Sequence, residues 1–378
     1  MHTAKQYPGD AEDVRACSAV NAGNLFRKMS EEKELIISYD ALYISAMKCK
    51  AGVSWKPTTK HFILNAVEEI LRMHKKLVSG SWKNGTPRPI MIVYPKRREG
   101  LSIPFRDRVY QRSINDNVLY PYITKSFIYD NAACQKGKGI EFARTRLKKH
   151  LWNHYSHYGL EGYILQVDIK GYYPNMRHEA VKEKFARYLP EDVYQMVADV
   201  LDTQYVGSVG YNPGSQMVQI AGISLLDDLD HVCKERLHVR HYMRYMDDIF
   251  ILEPDMDRIL KDKEVIREEL EKLGFEMHPK KTTIRPFREP FTFLGFVYRM
   301  TESGKIIMTL NSENVKHERR KLRRLVRKAK AGEMSREKVD ECYRSWRSNA
   351  EKGNSWKLLK RMDAFYAELW RNYGSKDQ

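Results

Sequence analysis

Arg244-Tyr245-Met246-Asp247-Asp248-Ile249-Phe250 sets two adjacent carboxylates among strand-forming residues. His241-Tyr242-Met243 leads in and Ile249-Phe250-Ile251-Leu252 leads out. β-branched and aromatic residues on both sides of a short polar step are the pattern of a hairpin with both Asp at or beside its turn. Two neighbouring carboxylates at a strand junction repel each other unless something cationic lies between them. Mg²⁺ is the usual solution, because it takes one or two protein carboxylates and completes its shell with substrate phosphates. A third carboxylate is therefore expected upstream, and the apolar run Tyr163-Ile164-Leu165-Gln166-Val167 ends in Asp168. Three carboxylates on adjacent strands can hold two metal ions roughly 3.5–4 Å apart, which activate an attacking oxygen and stabilise a leaving one. That is the chemistry of nucleotidyl transfer.

Elements able to position these groups recur along the chain. Residues 31–50 read as a helix, and Gly52 to Trp55 with Pro57 as a break. Phe62, Ala66, Ile70, Met73 and Leu77 then share one helical face that Gly80 closes. Residues 87–94 read as a strand, followed by the basic turn Pro95-Lys96-Arg97-Arg98-Glu99-Gly100 and a helix opening at Asp107. The Gly- and Lys-rich segment 135–140 precedes a helix over 142–150; it lacks the glycine spacing and terminal Lys-Ser/Thr of a phosphate loop. His150, His154 and His157 have helical spacing, but no acidic or thiol ligand nearby completes a zinc site. Asp227, Asp228 and Asp230 read as acidic residues complementing a helix N-terminus. Beyond Thr301, Val315, Leu322, Leu325, Val326 and Ala329 form an apolar stripe, and the other faces carry Lys316, Arg319, Arg320, Lys321, Arg323, Arg324, Arg327, Lys328 and Lys330. So one-signed a helix is stable when a polyanion neutralises it. A last helix repeats apolar residues at Leu358, Leu359, Met362, Phe365, Tyr366, Leu369 and Trp370.

Bulk properties agree with such a partner. The chain has 378 residues, 42% of them hydrophobic, enough for a large core and two or three subdomains. A net charge of +17 favours nucleic acid first and an anionic membrane second. The five cysteines are scattered, with no Cys-x-x-Cys pair, and read as reduced thiols. No apolar run is long enough to span a bilayer, the N-terminus lacks a signal-peptide core, and a cytoplasmic location without membrane partners is expected.

Tyr245-Met246-Asp247-Asp248 on a hairpin, with Asp168 ending an upstream strand, resembles a reverse transcriptase. The likeness covers residues from about 60 to 370. It implies an α+β right-hand polymerase with fingers and an N-terminal extension over 1–160, an antiparallel-sheet palm with an interleaved fingers segment over 161–300, and a helical thumb over 301–378. By the same resemblance Asp168, Asp247 and Asp248 bind two Mg²⁺, with Mn²⁺ as an alternative. Lys96 and Arg98 grip the triphosphate, with Arg97 adjacent, and Tyr173 excludes a ribose 2′-hydroxyl. The segment 135–140 lies along the template backbone, and Phe293-Leu294-Gly295-Phe296 forms the primer grip. Lys281, preferred over Lys280, protonates the leaving pyrophosphate. Gly214 packs beneath the nascent base pair, and Gln219, at the end of the same segment and ahead of a helix through 225–231, joins it in binding the nucleotide. Pro213 before that glycine offers no hydrogen bond and matches neither the Gln of retroviral-type enzymes nor the aliphatic residue of diversity-generating retroelement ones, and it is expected to loosen base selection.

The tail around Ser345-Trp346-Arg347 and Gly353-Asn354-Ser355 is similar to that of compact bacterial enzymes from diversity-generating retroelements, a layout shared with antiphage-defence reverse transcriptases. No ribonuclease H-like or His-Asn-His endonuclease segment is expected after the thumb. Implied partners are an RNA template, in particular a cognate structured non-coding RNA, a DNA or RNA primer, deoxynucleoside triphosphates and a small accessory protein. Other readings stay open: a template-independent, RNA-synthesising or protein-primed polymerase, a non-catalytic RNA-binding scaffold, and an interaction protein that uses its basic helix.

Overall fold

The computed structural model describes residues 29–93, 97–212 and 214–371. The fold is α+β, with antiparallel sheets and many helices, and it divides into two compact units. One comprises the described residues up to Lys125 together with His178–Ala221; the other comprises Ser126–Arg177 and the described residues from Gly222 onward.

The first unit opens with helices α1 (Glu31–Ile37), α2 (Tyr39–Lys50), α3 (Pro57–Leu64) and α4 (Ala66–Val78). Two continuous helices expected from periodicity are thus four. Ser38 ends α1 with an extended backbone and caps α2, its hydroxyl accepting from the Ala41 amide at 3.2 Å. A side-chain oxygen that satisfies an orphan amide makes such a break inexpensive. Asn65 interrupts the second pair, its amide donating to the His61 carbonyl at 3.0 Å. Strands β1 (Arg88–Ile92) and β2 (Arg98–Ser102) form an antiparallel hairpin. Helix α5 (Phe105–Ile114) begins two residues before Asp107, with Pro104 at its N-cap. Asp107 is buried and accepts from the Gly85 amide at 2.9 Å. A short π-helical stretch and α6 (Tyr120–Ile123) extend that rod.

The second unit is built on a four-stranded antiparallel sheet. After α7 (Ile140–Tyr158) come β3 (Tyr163–Val167) and the single turn α8 (Tyr172–Asn175). The chain continues through α9 (His178–Ala186), α10 (Glu191–Gln204), α11 (Gln216–Ser224) and α12 (Asp227–His231). β4 (His241–Tyr245), β5 (Asp248–Glu253), α13 (Met256–Lys272) and β6 (Thr283–Pro286) complete the sheet in the order β4-β5-β3-β6. α7 packs on β4 and β5, and α13 on β3 and β5, so these strands are buried on both faces and read as apolar runs. A second sheet, β7 (Phe291–Phe293), β8 (Phe296–Met300) and β9 (Ile306–Leu310), shares a core with the first through Phe250, Phe291, Phe296 and Met308.

Helices α14 (Ser312–Lys330), α15 (Arg336–Glu351) and α16 (Trp356–Arg371) close the chain around Leu322, Tyr343 and Met362. The apolar stripe of α14 faces inward as the spacing predicts, while Lys316, Arg320, Arg323, Arg324, Arg327 and Lys328 are exposed. Asn354 bonds both backbone groups of Met308, accepting from its amide at 2.8 Å and donating to its carbonyl at 2.6 Å. That contact ties the α15–α16 loop to β9, an edge strand of its sheet. No helix among the described residues is long and apolar enough to cross a membrane.

Candidate active site

The β4–β5 register pairs Tyr245 with Asp248 and leaves Met246 and Asp247 as a two-residue turn. Met246 has φ +58°, the left-handed region that a tight hairpin requires at its first turn residue. For a residue with a Cβ this conformation costs roughly 1–3 kcal/mol. On the other side of β5, Val167 pairs with Ile249, so the next step of the ladder sets Asp168 opposite Asp248. One unit thus brings Asp168, Asp247 and Asp248 to the same end of adjacent strands.

Lys281 reaches them by a backbone zip. The Lys170 amide donates to Glu276, Ile169 bridges Met277, and the His278 amide donates to the Asp168 carbonyl at 2.7 Å. The Lys281 ammonium then lies 3.1 Å from each Asp168 carboxylate oxygen. Asp168, Asp248, Lys280 and Lys281 line an open cleft of about 360 Å³ together with Gln166, Arg285 and Phe293. Burial pushes the Asp247 carboxyl above its ordinary value. Burial, then the Asp247 and Asp168 charges, push Asp248 up to about 7, and Lys281 offsets only part of this.

Such a trio is short of positive charge. Among the described residues no group of three or more His, Cys, Asp or Glu side chains is placed so that it could hold a metal ion. An all-carboxylate, open donor set fits Mg²⁺ that keeps waters or substrate phosphates in its shell. The unfavourable ionisation of Asp247 and Asp248 is what a divalent cation would relieve.

Tyr173 is half-buried beside this end of the sheet, its ring against that of the buried Tyr172. A Cβ added to Gly222 would lie 2.9 Å from the Tyr173 hydroxyl oxygen, so the absence of a side chain there makes room for the phenol. The Tyr172 hydroxyl donates to the Gly222 carbonyl at 2.5 Å. The proposed primer-grip turn is also formed: Phe293 pairs with Phe296, and Leu294 and Gly295 both have positive φ. Arg144 holds it, donating to the Leu294 carbonyl at 3.0 Å with its guanidinium 4.4 Å from the Phe296 ring centre.

The other residues singled out in the sequence take the following places within their own units. Gly214 belongs to the first unit, where a Cβ would meet the Leu101 carbonyl of β2 at 2.9 Å. Gln219 is exposed on α11 in that unit. Arg98 opens β2 opposite Ile92, and Arg97 is exposed. Lys96 and Pro213 lie outside the described residues. Lys138 donates to the Tyr129 and Asn131 carbonyls of its own loop at 3.0 Å each. His150 and His154 are buried beside His241, whereas His157 is exposed and bonded to the Asn153 carbonyl.

The acidic residues of α12 do not simply complement a helix dipole. Asp227 accepts from the Ser126 hydroxyl at 2.7 Å, and Asp230 forms a fully buried ion pair with Arg244. Sequence reasoning missed Arg244, Asp230, Gly222 and Arg144. Only Arg244 carried a signal, as a cation in an otherwise buried strand.

Solved structures of telomerase match at low similarity. One from Candida albicans, in complex with the TWJ fragment of telomeric RNA, has 12% identity and a TM-score of 0.45 over 76% of this chain and 55% of that one. Apo telomerase from Candida tropicalis, truncated from its C-terminal domain, has 13% identity and a TM-score of 0.44 over 59% and 55%. The chain therefore spans about half the length of these structures. No curated protein matches the sequence. The family model for reverse transcriptase (RNA-dependent DNA polymerase) matches residues 96–298, which include all three carboxylates, Tyr173 and Lys281. That match spans more than half of the 378 residues, and the chain belongs to the reverse transcriptase family.

Proposed function

We propose that the protein is an RNA-directed DNA polymerase that extends a primer 3′-hydroxyl with deoxynucleotides. The observation carrying this reading is the trio Asp168, Asp247 and Asp248, gathered at one sheet end with Lys281 against it and too little positive charge to ionise freely. These carboxylates would hold two Mg²⁺, or Mn²⁺. Bound there, the ions supply an acidified 3′-hydroxyl and neutralise charge on the leaving pyrophosphate.

The chain's own residues do the rest. Lys281, its ammonium 3.1 Å from each Asp168 carboxylate oxygen, is the general acid for pyrophosphate. Tyr173 walls the sugar pocket against a ribose 2′-hydroxyl. Lys96 and Arg98 hold the triphosphate, and the Leu294-Gly295 turn presses the primer end. Gly214 and Gln219 lie against the nascent base pair, and the basic faces of α14 track the duplex backbone. An A-form duplex suits a groove that reads shape and charge. In this reading residues 1–160 are fingers, 161–300 palm and 301–378 thumb. The role is that of a compact bacterial enzyme, in a diversity-generating retroelement or in antiphage defence, copying a cognate structured RNA with a small accessory protein as a candidate partner.

Purified protein given poly(rA), oligo(dT), dTTP and Mg²⁺ should synthesise poly(dT), and the variant Asp247→Ala/Asp248→Ala should not. RNA binding with no incorporation by the unaltered protein would favour the scaffold reading instead. Incorporation that ignores the template would favour template-independent synthesis.

A further inference from the structure

Among the described residues Arg244 stands first of the large side chains that are fully buried. Its Nε donates to Asp230 Oδ1 at 2.7 Å and its Nη2 to Asp230 Oδ2 at 2.6 Å. Nη2 also donates to the Ile223 carbonyl at 2.9 Å, and Nη1 to the Met246 carbonyl at 2.8 Å. Asp230 takes a further bond from the Tyr242 hydroxyl at 2.6 Å. The Arg244 backbone is bridged on its far side to Asp130 and Ala132.

An ion pair this deep is a poor way to stabilise a fold. Desolvating both charges costs several kcal/mol, and apolar replacements of similar volume often fold as well or better. What an apolar pair cannot do is fix a carbonyl at a chosen angle. The Met246 carbonyl belongs to the peptide that enters Asp247, and Met246 is the turn residue with the costly positive φ. Ile223 follows Gly222, against which Tyr173 rests, and the Tyr172 hydroxyl holds the Gly222 carbonyl. One guanidinium thus joins the Asp247 turn to the backbone behind the Tyr173 ring.

We propose that Arg244, anchored by Asp230, is a positioning residue that sets the orientation of the Met246–Asp247 peptide and so the geometry of the metal-binding carboxylates. The proposal rests on the polymerase reading for its kinetic consequence, but not for its structural one. The clamp acts through Asp247 and touches no substrate.

The test uses the full chain with two variants, Arg244→Met/Asp230→Leu, which keeps the volume buried without charge, and Arg244→Lys, which keeps the charge but loses the fork. Three readouts are taken on each: Tm in EDTA, Mn²⁺ affinity by electron paramagnetic resonance, and kcat and KM for dTTP on poly(rA)/oligo(dT). Supporting partners of metal ligands typically contribute about 10–100-fold in affinity or activity. The expected result is a loss of that size in both Mn²⁺ affinity and kcat, with KM for dTTP changed less than ~3-fold and Tm of the double variant retained. Either variant folding with unaltered Mn²⁺ affinity and kcat would overturn the proposal. So would losses that track Tm across the two variants, since a purely structural pair behaves that way. If the double variant does not fold, Arg244→Lys decides alone on the same criteria. Should the unaltered protein bind Mn²⁺ but polymerise nothing, the functional reading fails while the affinity comparison still tests the clamp.

Discussion

Replacing Asp248 with Asn should stabilise the metal-free protein at alkaline pH and abolish nucleotide transfer. The carboxyl is held at about 7 against an ordinary 3.8, by burial first and then by the Asp247 and Asp168 charges. The unfolded chain therefore releases this proton first. Between about pH 4 and pH 7 the folded protein binds more protons than the unfolded chain, so stability falls as pH rises, and above about pH 7 the loss is complete. A gap of about three decades in proton affinity amounts to ~4 kcal/mol. The trio shares its charge, and part of the strain is relieved through its neighbours, so removing one member should recover about half, ~2 kcal/mol or a few degrees in Tm.

The assay is calorimetry in EDTA from pH 5 to pH 8.5 on the unaltered protein and Asp248→Asn. The Tm difference should be small at pH 5, grow through pH 7 and then level off. Adding Mg²⁺ should reverse its sign, because ligand binding stabilises only the protein that retains the full site. A variant no more stable than the parent at pH 8, or one equally stabilised at pH 5, would refute the claim that Asp248 resists ionisation in this fold.

Four further outcomes follow from the site. Gly222→Ala puts a Cβ 2.9 Å from the Tyr173 hydroxyl oxygen; overpacking of this kind costs roughly 1–3 kcal/mol, so it should lower Tm by up to a few degrees and lower kcat/KM for dTTP as the phenol is displaced. Tyr173→Ala should instead raise ribonucleotide incorporation relative to deoxynucleotide by at least about tenfold, as loss of a steric wall would, measured by competition on one template. Lys281→Met should slow the chemical step by ~10²-fold, the low end for loss of a general acid, with primer affinity unchanged; an unaltered single-turnover rate would remove Lys281 from the mechanism. Arg144→Ala frees the Leu294 carbonyl and empties the face of Phe296, so KM for primer–template should rise and Tm should fall by an amount consistent with a lost charged hydrogen bond of ~1.5–3 kcal/mol.

The carboxylate trio was legible because strand chemistry and charge repulsion are both local. Asp247-Asp248 is a polar step inside residues that otherwise want a sheet, and Asp168 ends an apolar run of the same kind. The inward stripe of α14 was legible for the same reason, since a helical period needs no knowledge of the partner surface. Helix breaks at Ser38 and Asn65 were not, because each is decided by one side-chain hydrogen bond of modest net worth against a continuous apolar face.

The larger failure concerns charge. In one dimension Asp230 is one of three acids at a helix start and Arg244 a cation before a turn, fourteen residues later. Only the hairpin's return through the core makes them partners. Lys281 is a related case: its 113-residue separation from Asp168 is closed by backbone pairing of residues 276–278 with the end of β3. A sequence shows where like charges accumulate and so where a cation is required. Which cation arrives is settled by the register of strands that pair only after the chain has folded. That is why the acidic half of this site could be read directly, while its basic half needed the resemblance to a family for Lys281 and the folded chain for Arg244.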